Sequence, residues 1–147
     1  MRKISLLLVL VLFLSGCAVA LLGAGAGGVM VLSRKSVSQA TEQNRKSLPK
    51  LNLGLSKEET LKIMGTKTVR AYQKGKAIDI TNPYRTEILQ GKDKTLEVVY
   101  YVTDVKKDDG AITDDELTPF VFDNGKLIGW GWSFLQENIQ KYEIRWR

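Results

Sequence analysis

The chain has 147 residues, 22 Lys and Arg against 16 Asp and Glu, no His and a single Cys. That inventory excludes intrachain disulfides, Cys/His metal sites and the Ser-His-Asp and Cys-His nucleophilic constellations. The formal charge of +6 is unevenly spread: residues 51–147 hold 15 Lys and Arg and 15 Asp and Glu, so that part is neutral and gives no support to a nucleic-acid partner.

Arg2 and Lys3 precede an apolar run from Ile4 to Leu14 that is broken only by Ser5, and Leu14-Ser15-Gly16-Cys17 follows. A charged start, a short apolar stretch and small residues are the parts of a secretory leader. The last four residues resemble the lipobox of bacterial lipoproteins. The resemblance implies that the Cys17 thiol takes a diacylglycerol, that the leader is cut before it, and that the new amino group is acylated with a palmitate-class chain. Ala18, in place of Asp, implies outer-membrane delivery to the periplasmic face by analogy with enterobacterial sorting rules. Two other readings stand beside this one. Cys17 could be a buried thiol in an uncleaved helix. Alternatively, Ile4 to Leu32, with its Gly23-x-x-x-Gly27 spacing, is long enough to be an inner-membrane signal anchor. Lipidation accounts for the leader, the small residues and the lone Cys together.

Ser33 to Lys50 carries Arg34, Lys35, Arg45, Lys46 and Lys50 against Glu42 and has almost no apolar periodicity. It reads as a flexible basic tether, part-helical between Val37 and Ser47, closed by Pro49 and lying outside the core. A basic segment beside a membrane is attracted to anionic headgroups by about 1 kcal/mol per charge. The expected organisation is therefore a signal peptide over 1–16, a lipid-anchored Gly-rich segment and tether over 17–50, and a small domain over 51–147.

Gly54-Leu55-Ser56-Lys57-Glu58-Glu59-Thr60-Leu61-Lys62-Ile63-Met64-Gly65 opens that domain. Ser56 and Glu59 have capping-box spacing, which predicts a helix over Lys57–Met64 ended by a left-handed Gly65. Leu55, Leu61 and Met64 fall on one face, and two turns of helix must dock on a sheet to persist. The stretch resembles the start of the BamE (SmpA/OmlA) superfamily of envelope lipoproteins, with Lys67 where that pattern has Pro and Thr60 where it has an apolar residue. Asn82-Pro83-Tyr84-Arg85-Thr86-Glu87, Asp109 to Pro119 and Gly129-Trp130-Gly131-Trp132 together look like a family of uncharacterised bacterial lipoproteins, which brings no activity with it.

The remainder reads as strands. Val69 to Lys74 gives a weak signal and Tyr84 to Leu89 a better one; Leu96 to Thr103, rich in β-branched and aromatic residues, belongs at the centre of a sheet. Phe120 to Ile128 is a hairpin around Asn124-Gly125, which demands a type I′ turn. Ser133 to Gln140 has room for one short helical turn, and the alternation of Tyr142 to Arg147 predicts a final strand. The expected fold class is α+β: a short capped helix packed on a small twisted antiparallel sheet.

Two constellations bear on function. Aligning Gly110 with the glycine of a calcium loop puts Val105 and Lys107 where carboxylates are needed, so Asp104 to Glu116 reads as a solvated acidic connection. If it held a cation, Asp108, Asp109, Asp114, Asp115 and Glu116 would be the ligands. In the Gly-Trp-Gly-Trp stretch, alternation puts Trp130 and Trp132 on one face with Ile128, and the glycines imply a close approach on the other. The indoles are then either core or a binding patch with Tyr101 and Phe122 beside them. With no paired acid and base to place, the expected protein is non-enzymatic and needs no cofactor or metal. It is a membrane-anchored interaction or scaffolding module with an envelope protein partner, which by the BamE resemblance points to outer-membrane assembly. The alternative is a small-ligand or cell-wall binding module that uses the Trp130/Trp132 face.

Overall fold

The computed structural model describes residues 36–107 and 109–144; Cys17, the leader, the Gly-rich segment, Asp108 and residues 145–147 lie outside the described residues. In chain order the elements are helix α1 (Val37–Ser47) with a 3-10 turn (Leu48–Lys50), helix α2 (Lys57–Met64) and the hairpin β1 (Val69–Gln73) and β2 (Lys76–Ile80). There follow β3 (Arg85–Gln90), β4 (Thr95–Val102), a 3-10 turn (Asp114–Glu116), β5 (Leu117–Asp123), β6 (Lys126–Trp130) and helix α3 (Trp132–Lys141). β3-β4-β5-β6 form an antiparallel sheet in that order, and β1 and β2 pair separately. The class is α+β, as composition and spacing predict. No helix among the described residues is long and apolar enough to cross a membrane.

β4 dictates the layering. Leu96, Val98, Tyr100 and Val102 point to one face, Val99 and Tyr101 to the other, and all six are buried. Such a strand needs a cover on both sides. On the first face, Val37 and Ala40 of α1, Ala71 and Ile80 of the β1–β2 hairpin, and Leu135 of α3 pack with Val98, Tyr100 and Val121. On the second, Met64 of α2 and Leu51 pack with Val99, Tyr101, Phe120, Phe122 and Leu127. The short helix was expected to cover one face only; the sheet is a middle layer.

α2 forms where the capping box puts it. The Ser56 hydroxyl accepts from the Glu59 N–H at 3.1 Å, and the Glu59 carboxylate accepts from the Ser56 N–H at 2.7 Å. Gly65 ends the helix at φ 89°, a value that favours glycine. The strand at Leu96–Thr103 is interior, and Asn124 and Gly125 turn the β5–β6 hairpin at φ 48° and 73°.

Residues 36–50 correct the sequence reading: they are not a tether outside the core. Ser36 and Gln39 form a second capping box, and Val37, Ala40, Thr41, Asn44 and Ser47 make a buried stripe at helical spacing. The stripe is hard to read because only two of its members are apolar. Asn44 is satisfied inside: its Nδ2 donates to Asn82 Oδ1 at 3.0 Å and to the Val102 carbonyl at 2.8 Å, and Asn82 Nδ2 donates back at 3.0 Å. A polar side chain buried with its hydrogen bonds made fixes the helix's position as an apolar one would not.

The C-terminal end also differs from expectation. Gly131, at φ 92°, turns the chain so that Trp132 starts a helix of 10 residues, not one turn. Leu135 is buried against the sheet, and the Phe134 ring lies where a Cβ on Gly129 would stand, at 2.4 Å. This is the close approach the glycines imply, made by a ring from α3. No final strand forms over Tyr142–Ile144: Ile144 is buried and its N–H returns to the Ile139 carbonyl at 3.0 Å.

If α1 is part of the core, Asn44→Ala strands the Asn82 amide and is expected to cost about 1–3 kcal/mol. Urea unfolding of the full chain measures this, and the double variant with Asn82→Ala should recover part of the loss. An unchanged midpoint for Asn44→Ala would return the segment to a tether.

Candidate functional site

With both faces of the sheet covered, its edges carry the unpaired backbone groups. The β6 edge is closed beside its turn. The Gly54 N–H donates to the Leu127 carbonyl at 2.8 Å, Leu127 N–H to Leu55 at 2.8 Å, and Lys57 N–H to Gly125 at 3.0 Å. Along Arg85–Gln90 the β3 edge has no such strip among the described residues; beyond it, in the turn, the Lys92 N–H donates to the Tyr142 carbonyl at 3.2 Å. The β3–β4 ladder starts at the Gly91 N–H bond to the Lys94 carbonyl, 2.8 Å, across a two-residue turn. Alternation from that pair gives Leu89, Glu87 and Arg85 to β4 and leaves the backbone groups of Thr86, Ile88 and Gln90 aimed outward. At the other end, Tyr84 N–H donates to the Tyr100 carbonyl at 2.8 Å.

The outward residues are exposed, and Ile88 at 58% is one of two large apolar side chains in that state among the described residues. Thr86, Ile88 and Gln90 share the face opposite Val99, Glu97 and Thr95. Beside them the Glu97 carboxylate holds Lys57 at 2.5 Å. An edge strand usually carries Lys, Pro or a bulge that discourages pairing; within Arg85–Gln90 there is no Lys or Pro.

The inner side of β3 is rigid. The Arg85 guanidinium lies 4.2 Å from the centre of the Tyr100 ring, and its Nη1 donates to Asp114 at 2.7 Å. Its Nε is 3.0 Å from Glu87 Oε1 but off-axis, an ion contact without a hydrogen bond. The Tyr100 hydroxyl donates to Glu87 Oε2 at 2.8 Å. Burial first, and then that bond, raise the Tyr100 hydroxyl above the ordinary phenol range. These contacts hold the strand from behind while its outer groups stay open. Arg85 and Glu87 sit two apart on a strand, the one signal from which the cluster was readable.

The residues singled out as a binding patch separate. Tyr101 and Phe122 are core. Tyr101 donates to the Gly65 carbonyl at 2.9 Å and meets Phe120 edge-on at 5.5 Å. Trp130 and Trp132 do not share a face. Val121 pairs with Gly129 and Phe122 with Leu127, so Ile128 bulges out of the β6 ladder before Trp130, and Gly131, at φ 92°, then turns Trp132 out of the strand and into α3. Half-buried Trp130 packs with Leu127 on the second face. Half-buried Trp132, beyond Gly131, packs on the first face, donating Nε1–H to the Leu117 carbonyl at 2.8 Å with its ring 5.8 Å from Tyr100.

The acidic connection is organised by Glu116. Its buried carboxylate accepts from the N–H groups of Lys106 at 2.6 Å, Lys107 at 3.3 Å and Thr113 at 3.1 Å. Asp109 accepts from the Ala111 N–H and Asp114 binds Arg85. Among the described residues no three acidic, His or Cys side chains gather as a metal site.

A family model described as "Protein of unknown function (DUF3192)" matches residues 30–137. No curated protein and no solved structure matches the chain.

Burial pushes the Tyr101 phenol up to about 12 from 10.0. The unfolded chain releases this proton near pH 10 and the folded chain holds it. The stability it contributes is therefore complete below pH 10 and is lost as pH rises from 10 to about 12. Urea midpoints followed over that range should fall more steeply for the natural chain than for Tyr101→Phe; parallel curves would contradict the burial.

Proposed function

We propose, from the premise that the chain belongs to this DUF3192 family of unknown function, that the protein is a non-enzymatic lipoprotein of the bacterial cell envelope. On this reading Cys17 carries the lipid, and the folded domain docks an envelope protein by strand addition along β3. One observation carries it: covering both faces of the sheet and closing the turn end of β6 leaves β3 as the more open edge, with Thr86, Ile88 and Gln90 outward. In strand addition, main-chain bonds supply affinity and alternate side chains supply selectivity, which is what such an edge offers.

The Leu14-Ser15-Gly16-Cys17 pattern and Ala18 support an anchor in the outer membrane with the domain on its periplasmic side. The capped helix Lys57–Met64, in a stretch that resembles the BamE pattern except at Thr60 and Lys67, supports a scaffolding role in outer-membrane assembly. Binding of a small ligand or glycan between the two indoles receives less support, because Trp130 and Trp132 pack on opposite faces.

A photo-crosslinking residue in place of Ile88, in the full-length protein in cells, should give one discrete adduct that is absent from the same residue at Glu137 on α3. Adding Cys17→Ala should leave an unprocessed precursor and abolish the adduct. No adduct from position 88, or the same pattern from 88 and 137, would contradict edge docking. Unchanged processing of the Cys17→Ala chain would contradict lipidation.

A further inference from the structure

Lysines gather where the chain enters the domain. Ser36 forms a parallel bridge with Tyr72 in β1. Immediately beyond, β1 turns through Lys74 and Gly75, at φ 46° and 79°, into Lys76. Gln73 Nε2 donates to the Lys107 carbonyl at 3.2 Å, so the loop leaving β4 is tied to the same turn. Lys74, Lys76 and Lys107 are exposed, and among the described residues none of the three is in an ion pair. Neighbouring Lys106 is held by Asp104 at 2.6 Å, and Asp109 is engaged by the Ala111 N–H. Arg34 and Lys35 directly precede Ser36 in the sequence.

The far end of β4 also carries exposed lysines, Lys92 and Lys126, but the chain does not enter the domain there. The turns at Lys92–Asp93 and Asn124–Gly125 flank the first residues of β4, about 25 Å along the strand from the Lys107 loop. There Lys94 is paired with Asp123 at 2.5 Å.

We propose that Lys74, Lys76 and Lys107 are a contact surface for an anionic phospholipid bilayer, which orients the domain on the membrane. The proposal rests on the reading of Cys17 as the lipid anchor. Only residues 18–35 separate that Cys from Ser36, a reach of at most about 65 Å when fully extended. The connection from the anchor joins the domain at this lysine end, through Ser36. Unpaired lysines within a Debye length of anionic headgroups are drawn to them, each strengthening the contact about fivefold at low salt.

The test uses the processed full-length protein bound to vesicles of phosphatidylcholine alone or with phosphatidylglycerol. A water-soluble amine-acylating reagent is applied and read residue by residue by mass spectrometry. Labelling of Lys74, Lys76 and Lys107 should slow about fivefold with phosphatidylglycerol and recover in high salt, while Lys126 at the far end stays unchanged. If the protein floats with both vesicle types and the three lysines label equally on each, the contact surface is wrong and the anchor stands. A uniform slowing that includes Lys126 would mean non-specific adsorption and would also overturn it. If the protein floats with neither, the anchor reading fails and this proposal with it.

Discussion

In β4 every side chain from Leu96 to Val102 except Glu97 is buried, and a strand apolar on both sides cannot sit in a sheet that shows one face to water. The domain therefore has to build two covers. α1, the β1–β2 hairpin and α3 make one, and α2 with Leu51 makes the other. Leaving either out would expose several large side chains, each worth about 1.5–3 kcal/mol when fully buried.

The two covers are made of different material, and that decided how far the sequence could be read. α2 advertises itself through Ser56, Glu59, Leu61, Met64 and Gly65, all local signals, and the β5–β6 turn does the same through Asn124-Gly125. α1 has an equally good capping box, but its buried stripe includes Thr41, Asn44 and Ser47. Those residues are core only because Asn82 and the Val102 carbonyl wait for Asn44, and no local pattern reports partners 38 and 58 positions away. The β1–β2 hairpin was half seen for a similar reason: its inner face includes Ala71 and Gln73, neither a strong strand signal. At the other end, Gly131 at φ 92° undid the expectation that Trp130 and Trp132 share a face, because it ends the strand after Trp130 and starts a helix at Trp132, and alternation holds only within a strand. The Gly129 constraint was legible in kind, and only the structure names Phe134 as its occupant.

Once both faces are occupied, what remains for binding is the perimeter. Gly54–Lys57 closes part of the β6 edge with three backbone bonds, while Arg85, Glu87, Tyr100 and Asp114 lock β3 from its inner side and leave its outer groups free. A rigid, open, short edge is a suitable dock for an extended segment of a partner. The position of that edge could not be read from Tyr84 to Leu89 alone, since being an edge is a property of strand order. The same holds for the lysine end: Lys74, Lys76 and Lys107 are far apart in sequence, and the Gln73 bond to Lys107 brings them together at the point where Ser36 joins the domain.

Two features define this domain: α1 is a structural cover of the sheet, and the β3 edge is open. Native-state hydrogen exchange of the full-length protein, followed amide by amide, tests both together. The α1 amides from Thr41 to Ser47 should exchange in the same slow class as β4 and β5, while the Thr86 and Ile88 amides exchange orders of magnitude faster. Exchange of α1 at the rate of a free chain while β4 stays slow, or protection of Thr86 and Ile88 equal to that of β4, would contradict this arrangement.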